Sequence, residues 1–168
     1  ETAYGDRGVY DMDNAILVLS GNGVRLVTET DTITAEKQLE YWENKQMVVA
    51  RGNAFAVRGD KRLGADVLTA YFRRDKNGKS KVYRIEAFDD VEVVTANETA
   101  TGDRGVYNVE TGIATLTGSV KIIREGNVLS GCVAEVNMNT NVSKIFGCAS
   151  KASGDGRVRG LLIPKKKN

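Results

Sequence analysis

The sequence contains no histidine, a single proline, two cysteines and few aromatic residues. Without histidine the commonest general base and metal ligand are missing, and with them every Ser-His or Cys-His arrangement. Only carboxylate, lysine or tyrosine chemistry would remain to an enzyme. The cysteines, Cys132 and Cys148, lack the spacing of a zinc ribbon or a CxxC redox pair. No apolar run approaches the ~20 residues of a membrane-spanning helix, so the chain reads as soluble. Neither sign of charge dominates: 24 basic residues are interspersed with 22 acidic ones, for a net +2. That balance argues against a nucleic-acid face. Gly21-Asn22-Gly23 has no helical pattern after it to form a phosphate loop. Asp11-Met12-Asp13-Asn14 lacks the glycine and final glutamate of an EF-hand. The expectation is a binding protein, not an enzyme, with no cofactor and no metal.

What the sequence does have is glycine, 18 residues of it, and repetition. Gly5-Asp6-Arg7-Gly8-Val9-Tyr10 recurs identically as Gly102-Asp103-Arg104-Gly105-Val106-Tyr107, an offset of 97. Glu1-Thr2-Ala3 matches Glu98-Thr99-Ala100, and Leu19-Ser20-Gly21 matches Leu116-Thr117-Gly118. Val24-Arg25-Leu26 matches Val120-Lys121-Ile122 after a one-residue gap, the size of a β-bulge. A shorter unit, with a turn-forming residue between small or apolar ones, lies inside this repeat. It appears at 19–26, 50–56, 87–93 and 116–122, with a degraded copy from Ile145 through Gly147 and Ala149. Val24, Ala54, Val91, Val120 and Ala149 align at spacings of 30, 37, 29 and 29. The long interval holds the charged stretch 73–81, read as a hairpin tip.

Within each unit the period is 2. Leu116, Gly118, Val120 and Ile122 share one face; Thr117, Ser119 and Lys121 share the other. Strands of about 6–9 residues, ending at Asn-Gly, Asp-Asp and Thr-Gly signals, follow from this. The best helix candidate, 35–43, reads as strand at the matching places elsewhere (65–71 and 131–138) and is assigned as strand followed by a polar turn. A sheet with one apolar face must fold that face onto something. A stack of strand pairs around one elongated interior, with open end strands, meets the need. The small inward residues, such as Ala35, Ala54, Ala65 and Ala87, suggest an interior with room to spare.

Gly-Asp-Arg-Gly-Val-Tyr, then a turn, then Ala-x-Leu-x-Gly-x-Val-x-Ile and Leu-x-Gly resembles the OstA/LptA family of periplasmic lipopolysaccharide-transport proteins. The segment 156–164 followed by lysines is similar to the way α-proteobacterial members end. The resemblance implies an open, twisted all-β jellyroll of V-shaped section over residues 1–163, with a basic tail at 164–168. It implies a periplasmic protein that holds lipid A acyl chains in its groove and leaves sugars and phosphates outside. Copies would join head to tail through edge strands, and to LptC-like inner-membrane and LptD-like outer-membrane partners, forming a bridge. The LptC-type or LptD amino-terminal domain of the same fold, a carbohydrate-acting β-solenoid and a structural filament module are the alternatives.

The groove contacts transfer only as inward alternate positions. They are Leu19, Val24, Leu26, Ile33, Ala54 and Leu68 in the first part of the chain, and Val91, Val93, Leu116, Val120, Ile122 and Leu129 in the second. Arg25, Arg58, Lys61, Arg62 and Lys121 are candidates to meet lipid phosphates at the groove mouth. If 139–141 is a hairpin tip centred on Thr140, Cys132 lies opposite Cys148, within disulfide reach. The alternative is two small buried residues in another register. Because Glu1 falls in mid-repeat, the first strand is expected to have a neighbour beyond it.

Overall fold

The computed structural model describes residues 1–148 and 156–163. The degraded repeat at Ala149 and the tail 164–168 lie outside the described residues. Alternating apolar residues make fourteen antiparallel strands and one short 3-10 turn, Glu43–Lys45, with no α-helix among the described residues. The strands are β1 (Thr2–Tyr4), β2 (Arg7–Asp11), β3 (Ile16–Ser20), β4 (Val24–Val27), β5 (Thr32–Ala35) and β6 (Gln38–Trp42). The long ones follow: β7 (Met47–Arg58), β8 (Lys61–Arg74), β9 (Ser80–Val94), β10 (Thr99–Asn108), β11 (Ile113–Arg124) and β12 (Asn127–Asn137). Two short ones close the sheet, β13 (Val142–Phe146) and β14 (Arg159–Leu161).

Every long strand turns a corner near its middle. In β7, β9 and β11 two residues lie opposite one in the neighbour: Gly52-Asn53 against Asp66, Asp89-Asp90 against Asp103, Gly118-Ser119 against Cys132. All six residues of these pairs have left-handed φ, between 39° and 85°. A two-against-one bulge bends the strand and lets pairing resume on the far side. At the same level β1 passes into β2, β3 into β4, and β5 into β6. The corner divides the sheet into two wings. The first has the order β1-β4-β5-β7-β8-β9-β10-β11-β12-β14, the second β2-β3-β6-β7-β8-β9-β10-β11-β12-β13. The Asp89-Asp90 and Thr117-Gly118 signals, read from sequence as strand ends, are therefore corners inside single strands of 15 and 12 residues. Residues 35–42 are strand, corner and strand, and Glu43 opens the 3-10 turn.

The apolar faces of the two wings meet in one core. Val24, Ile33, Val91, Val93 and Val120 of the first wing pack with Leu68, Ala87, Leu116, Ala134 and Val136 of the second, all 1% exposed or less. The small inward residues from which the sequence suggests spare room, Ala35, Ala54, Ala65 and Ala87, are all buried in this core.

Candidate functional site

Alternation puts all twelve candidate groove residues on the inward faces, but ten are closed core. Val24, Leu26, Ile33, Ala54, Leu68, Val91, Val93, Leu116, Val120 and Ile122 are 0–6% exposed. Leu19 and Leu129 alone are partly open, at opposite ends of the sheet. The apolar seam opens beside Leu19. There Ala3, Leu17, Leu19, Leu26, Leu39 and Val48 line a pocket of about 230 Å³, with Glu1, Glu40 and Tyr41 at its rim. That is below the roughly 300–1,000 Å³ of ordinary ligand pockets. It suits one end of an apolar chain. Leu17, Leu39, Tyr41 and Val48 are lining residues the sequence reading missed, although their alternation with Val18 and Glu40 carries the same signal.

The mouth of the V, where the strand tips of the two wings face each other, is polar and bridged. Lys79 Nζ of the β8–β9 tip reaches Glu29 Oε1 of the β4–β5 turn at 2.9 Å. Ser143 of β13 donates to Glu98 of the β9–β10 turn, and Arg124 donates to the Asn141 carbonyl at 3.4 Å. Arg58 clamps buried Asp31 through two 2.6 Å bonds, and this pairing raises the guanidinium above its ordinary range. Burial pushes the Tyr107 phenol up, with Arg58 pulling the other way. Beside this bridge lies a cavity of about 520 Å³ whose lining includes Glu1, Glu29 and Asp31 against Arg58, Lys79 and Lys81.

Of the cations proposed for phosphate contact, Arg58 and Lys61 end up at the mouth. Arg25 and Arg62 are on the outward face, Arg25 over the Tyr4 ring at 4.4 Å, Arg62 over Phe55 at 4.7 Å and paired with Glu92. Lys121 is likewise outward and exposed. In the 73–81 tip, Arg73, Lys79 and Lys81 are held by Glu110, Glu29 and Asp75.

Cys132 and Cys148 are joined in a disulfide at the corner, with Cα atoms 5.0 Å apart. The register that brings them together differs from the one read from sequence. Asn137 pairs with Val142 and Val133 with Phe146, so a straight continuation would set Cys132 against Gly147. The shift at the corner supplies the missing residue. Among the described residues no three His, Cys, Asp or Glu side chains gather where a metal ion would be held.

Residues 32–142 match the family model of the LptA/(LptD N-terminal domain) LPS transport protein. The chain belongs to this family. The match spans β5 to β12, with the long strands and most of their corners. Uncharacterized protein R00383 of Rhizobium meliloti (strain 1021) is 25% identical over 150 residues, covering 86% of this chain and 77% of that protein. The fold is shared with LptH, the LptA homologous periplasmic component of the lipopolysaccharide transport device of Pseudomonas aeruginosa. The TM-score is 0.61 at 16% identity, over 93% of this chain and all of LptH. Family membership gives the chain a role in lipopolysaccharide transport.

Proposed function

We propose that the chain carries lipopolysaccharide across the periplasm by taking lipid A acyl chains between its two wings. Copies would stand head to tail between LptC-like inner-membrane and LptD-like outer-membrane partners, with no cofactor and no chemical step. The observation that carries the reading is the continuous inward apolar seam, polar at its mouth and open at Leu17 and Leu19. Acyl chains need no directional contacts. Burying ten methylenes contributes about 8 kcal/mol, and wing-to-acyl contact replaces the wing-to-wing contact it displaces. Opening the seam then costs chiefly the mouth bridges, of which the solvent-exposed Lys79–Glu29 pair is worth about 0–1 kcal/mol. Sugars and phosphates stay in water outside the mouth.

Photo-crosslinking tests this directly. Probes at Leu17 and Leu19 should label with lipopolysaccharide, and a probe at outward-facing Val18 should not. Labelling from Val18 alone would remove the seam as the lipid path.

A further inference from the structure

The repeat is longest between Ala54 and Val91, at 37 residues where its other intervals are 29 or 30. The surplus lies at one tip, between β8 and β9, which at 14 and 15 residues are the longest strands among the described residues. The turn joining them is firmly built. Asp75 Oδ1 accepts the Asn77 and Lys79 N–H groups at 2.8 and 3.0 Å, and the Asp75 N–H donates to the Lys79 carbonyl at 2.8 Å. Tyr83 is an extra residue in β9, since Tyr71 pairs with Arg84 and Phe72 with Val82. Its carbonyl accepts the Val109 N–H at 3.0 Å, which ties this tip to the β10–β11 turn and so to Glu110.

Between the tip and that turn lies a cavity of about 450 Å³, within the roughly 300–1,000 Å³ of ordinary ligand pockets. Four cations line it, Arg73, Arg74, Lys76 and Lys81, against the two carboxylates of Asp75 and Glu110. Arg73 and Lys81 stand directly opposite each other in the β8–β9 pair, where like charges repel. Arg73 lies over the Tyr83 ring at 5.4 Å and pairs with Glu110, both partners being more than half exposed. So exposed a pair is weak and open to exchange. Asp75 is held faster, by the turn N–H groups on one oxygen and by Lys81 at 3.0 Å on the other. The Arg74 and Lys76 side chains have no charged partner among the described residues. Lys81, Val82 and Val109 also line the cavity beside the mouth bridge, so the two cavities adjoin.

Resting on the proposed function for the source of its ligand, we infer that this cavity is a phosphate-monoester site for the headgroup of the lipid held in the seam. The charges match: the surplus of cations over carboxylates is two, and a phosphate monoester carries about 1.5–2 negative charges at neutral pH. Phosphate enters by exchange with Glu110. The Arg73 fork turns two N–H donors to phosphate oxygens, Tyr83 supporting its plane, and Lys81 adds a point charge from the opposite strand. An anion between these two removes their repulsion. Arg74 and Lys76 complete the neutralisation, and Asp75 stays in place to hold the turn. The site is exposed and lies beside the mouth, so the headgroup keeps its contact with water while the acyl chains run inward.

The test begins with inorganic phosphate, methyl phosphate and dimethyl phosphate titrated into the full chain at low salt, followed by amide resonances. Phosphate and methyl phosphate should give saturable shifts at 73–83 and Glu110, and dimethyl phosphate should bind at least about 3-fold more weakly. Arg74→Gln with Lys76→Gln, at unchanged melting, should weaken phosphate by about 3- to 10-fold, the scale of two exposed charge pairs. Glu110→Gln should tighten it by about 2- to 5-fold. Shifts that never saturate, equal binding of the diester, or weaker binding by Glu110→Gln overturn the site. The lipid source is tested by loading. The Arg74→Gln, Lys76→Gln chain should load lipopolysaccharide more weakly than the parent, and dephosphorylated lipopolysaccharide equally well. Parental loading of both lipids by that chain overturns the headgroup assignment and makes free phosphate the ligand. Saturable phosphate binding with no lipopolysaccharide label from Leu17 or Leu19 overturns the proposed function instead, and the phosphate site stands.

Discussion

At Gly118 a side chain is excluded twice over. Its φ of 78° is left-handed, and a Cβ there would overlap the Asp103 carboxylate crossing the corner. Gly118→Ala should lower stability by about 1–3 kcal/mol, read as a shift in urea midpoint at unchanged slope. Adding Asp103→Gly should recover the part due to overlap and leave the part due to φ. The same crossing occurs at Asp6 over Gly21, so the repeated Gly-Asp-Arg-Gly is a corner motif. Its recurrence is plain in the sequence. Its purpose is not, because the glycine each aspartate crosses lies fifteen residues on. Glu40 gives a second prediction. Burial pushes its carboxyl up, but hydrogen bonds from Arg51 at 2.6 Å, Gln38 at 2.8 Å and Trp42 at 3.1 Å outweigh that and hold it below the usual glutamate value. A lowered folded value means the unfolded chain binds the proton first. The contribution is complete above the unfolded value of about 4.3 and is lost as pH falls through the folded one. Glu40→Gln should cost about 1–3 kcal/mol at neutral pH, and the gap to the parent should close on acidification in chemical-denaturation series.

Among the elements, the last strand differs most from the pattern. β13 pairs with the second half of β12, and β14 continues along the first half, but its pairing is offset by ten residues from that of β13. One strand position beside β12 is thus shared by two segments, β13 on one side of the corner and β14 on the other. The disulfide pins the corner row between them. It closes a 16-residue separation, for which the loop-entropy argument gives about 3 kcal/mol. Replacing both cysteines by serine should lower stability by roughly that amount and speed amide exchange in β13 and β14 before the central strands. Two free thiols in the mass of unreduced native protein would remove the bond from the account. Alternation was enough to identify the strands, and the 35–43 stretch shows it outweighing helix propensity. What local composition could not separate was a corner from a hairpin end, since both call for Gly, Asn and Asp in left-handed conformation. Only the partner strand decides, by continuing to pair beyond Asp90 and Ser119. The same blind spot put the cysteines in a register one residue from the true one.

For the whole molecule, sequence alternation sorted inward from outward but could not say whether the inward faces enclose a gap. That depends on how closely the wings approach, and the small buried residues Ala54 of the first wing and Ala87 of the second permit a close approach. Under the proposed function, with ten of the twelve groove positions sealed, acyl chains enter only if the wings part, and the share of molecules with parted wings scales the apparent affinity. On that reading the mouth bridges set that share. Glu29 and Lys79, both exposed and both at strand tips, are suited to locking it. With the native cysteines already bonded, Glu29→Cys with Lys79→Cys provides the two free thiols among the described residues. A short bifunctional maleimide across them should reduce lipopolysaccharide loading by on the order of tenfold or more, while the same variant capped with a monofunctional reagent loads normally. The locked form should also melt higher, since the tether closes a loop of the unfolded chain. A locked molecule that melts higher yet loads at the parental level would mean that lipid does not pass between the wings. The rim of Leu17 and Leu19 would then have to be the whole of the site rather than its entrance.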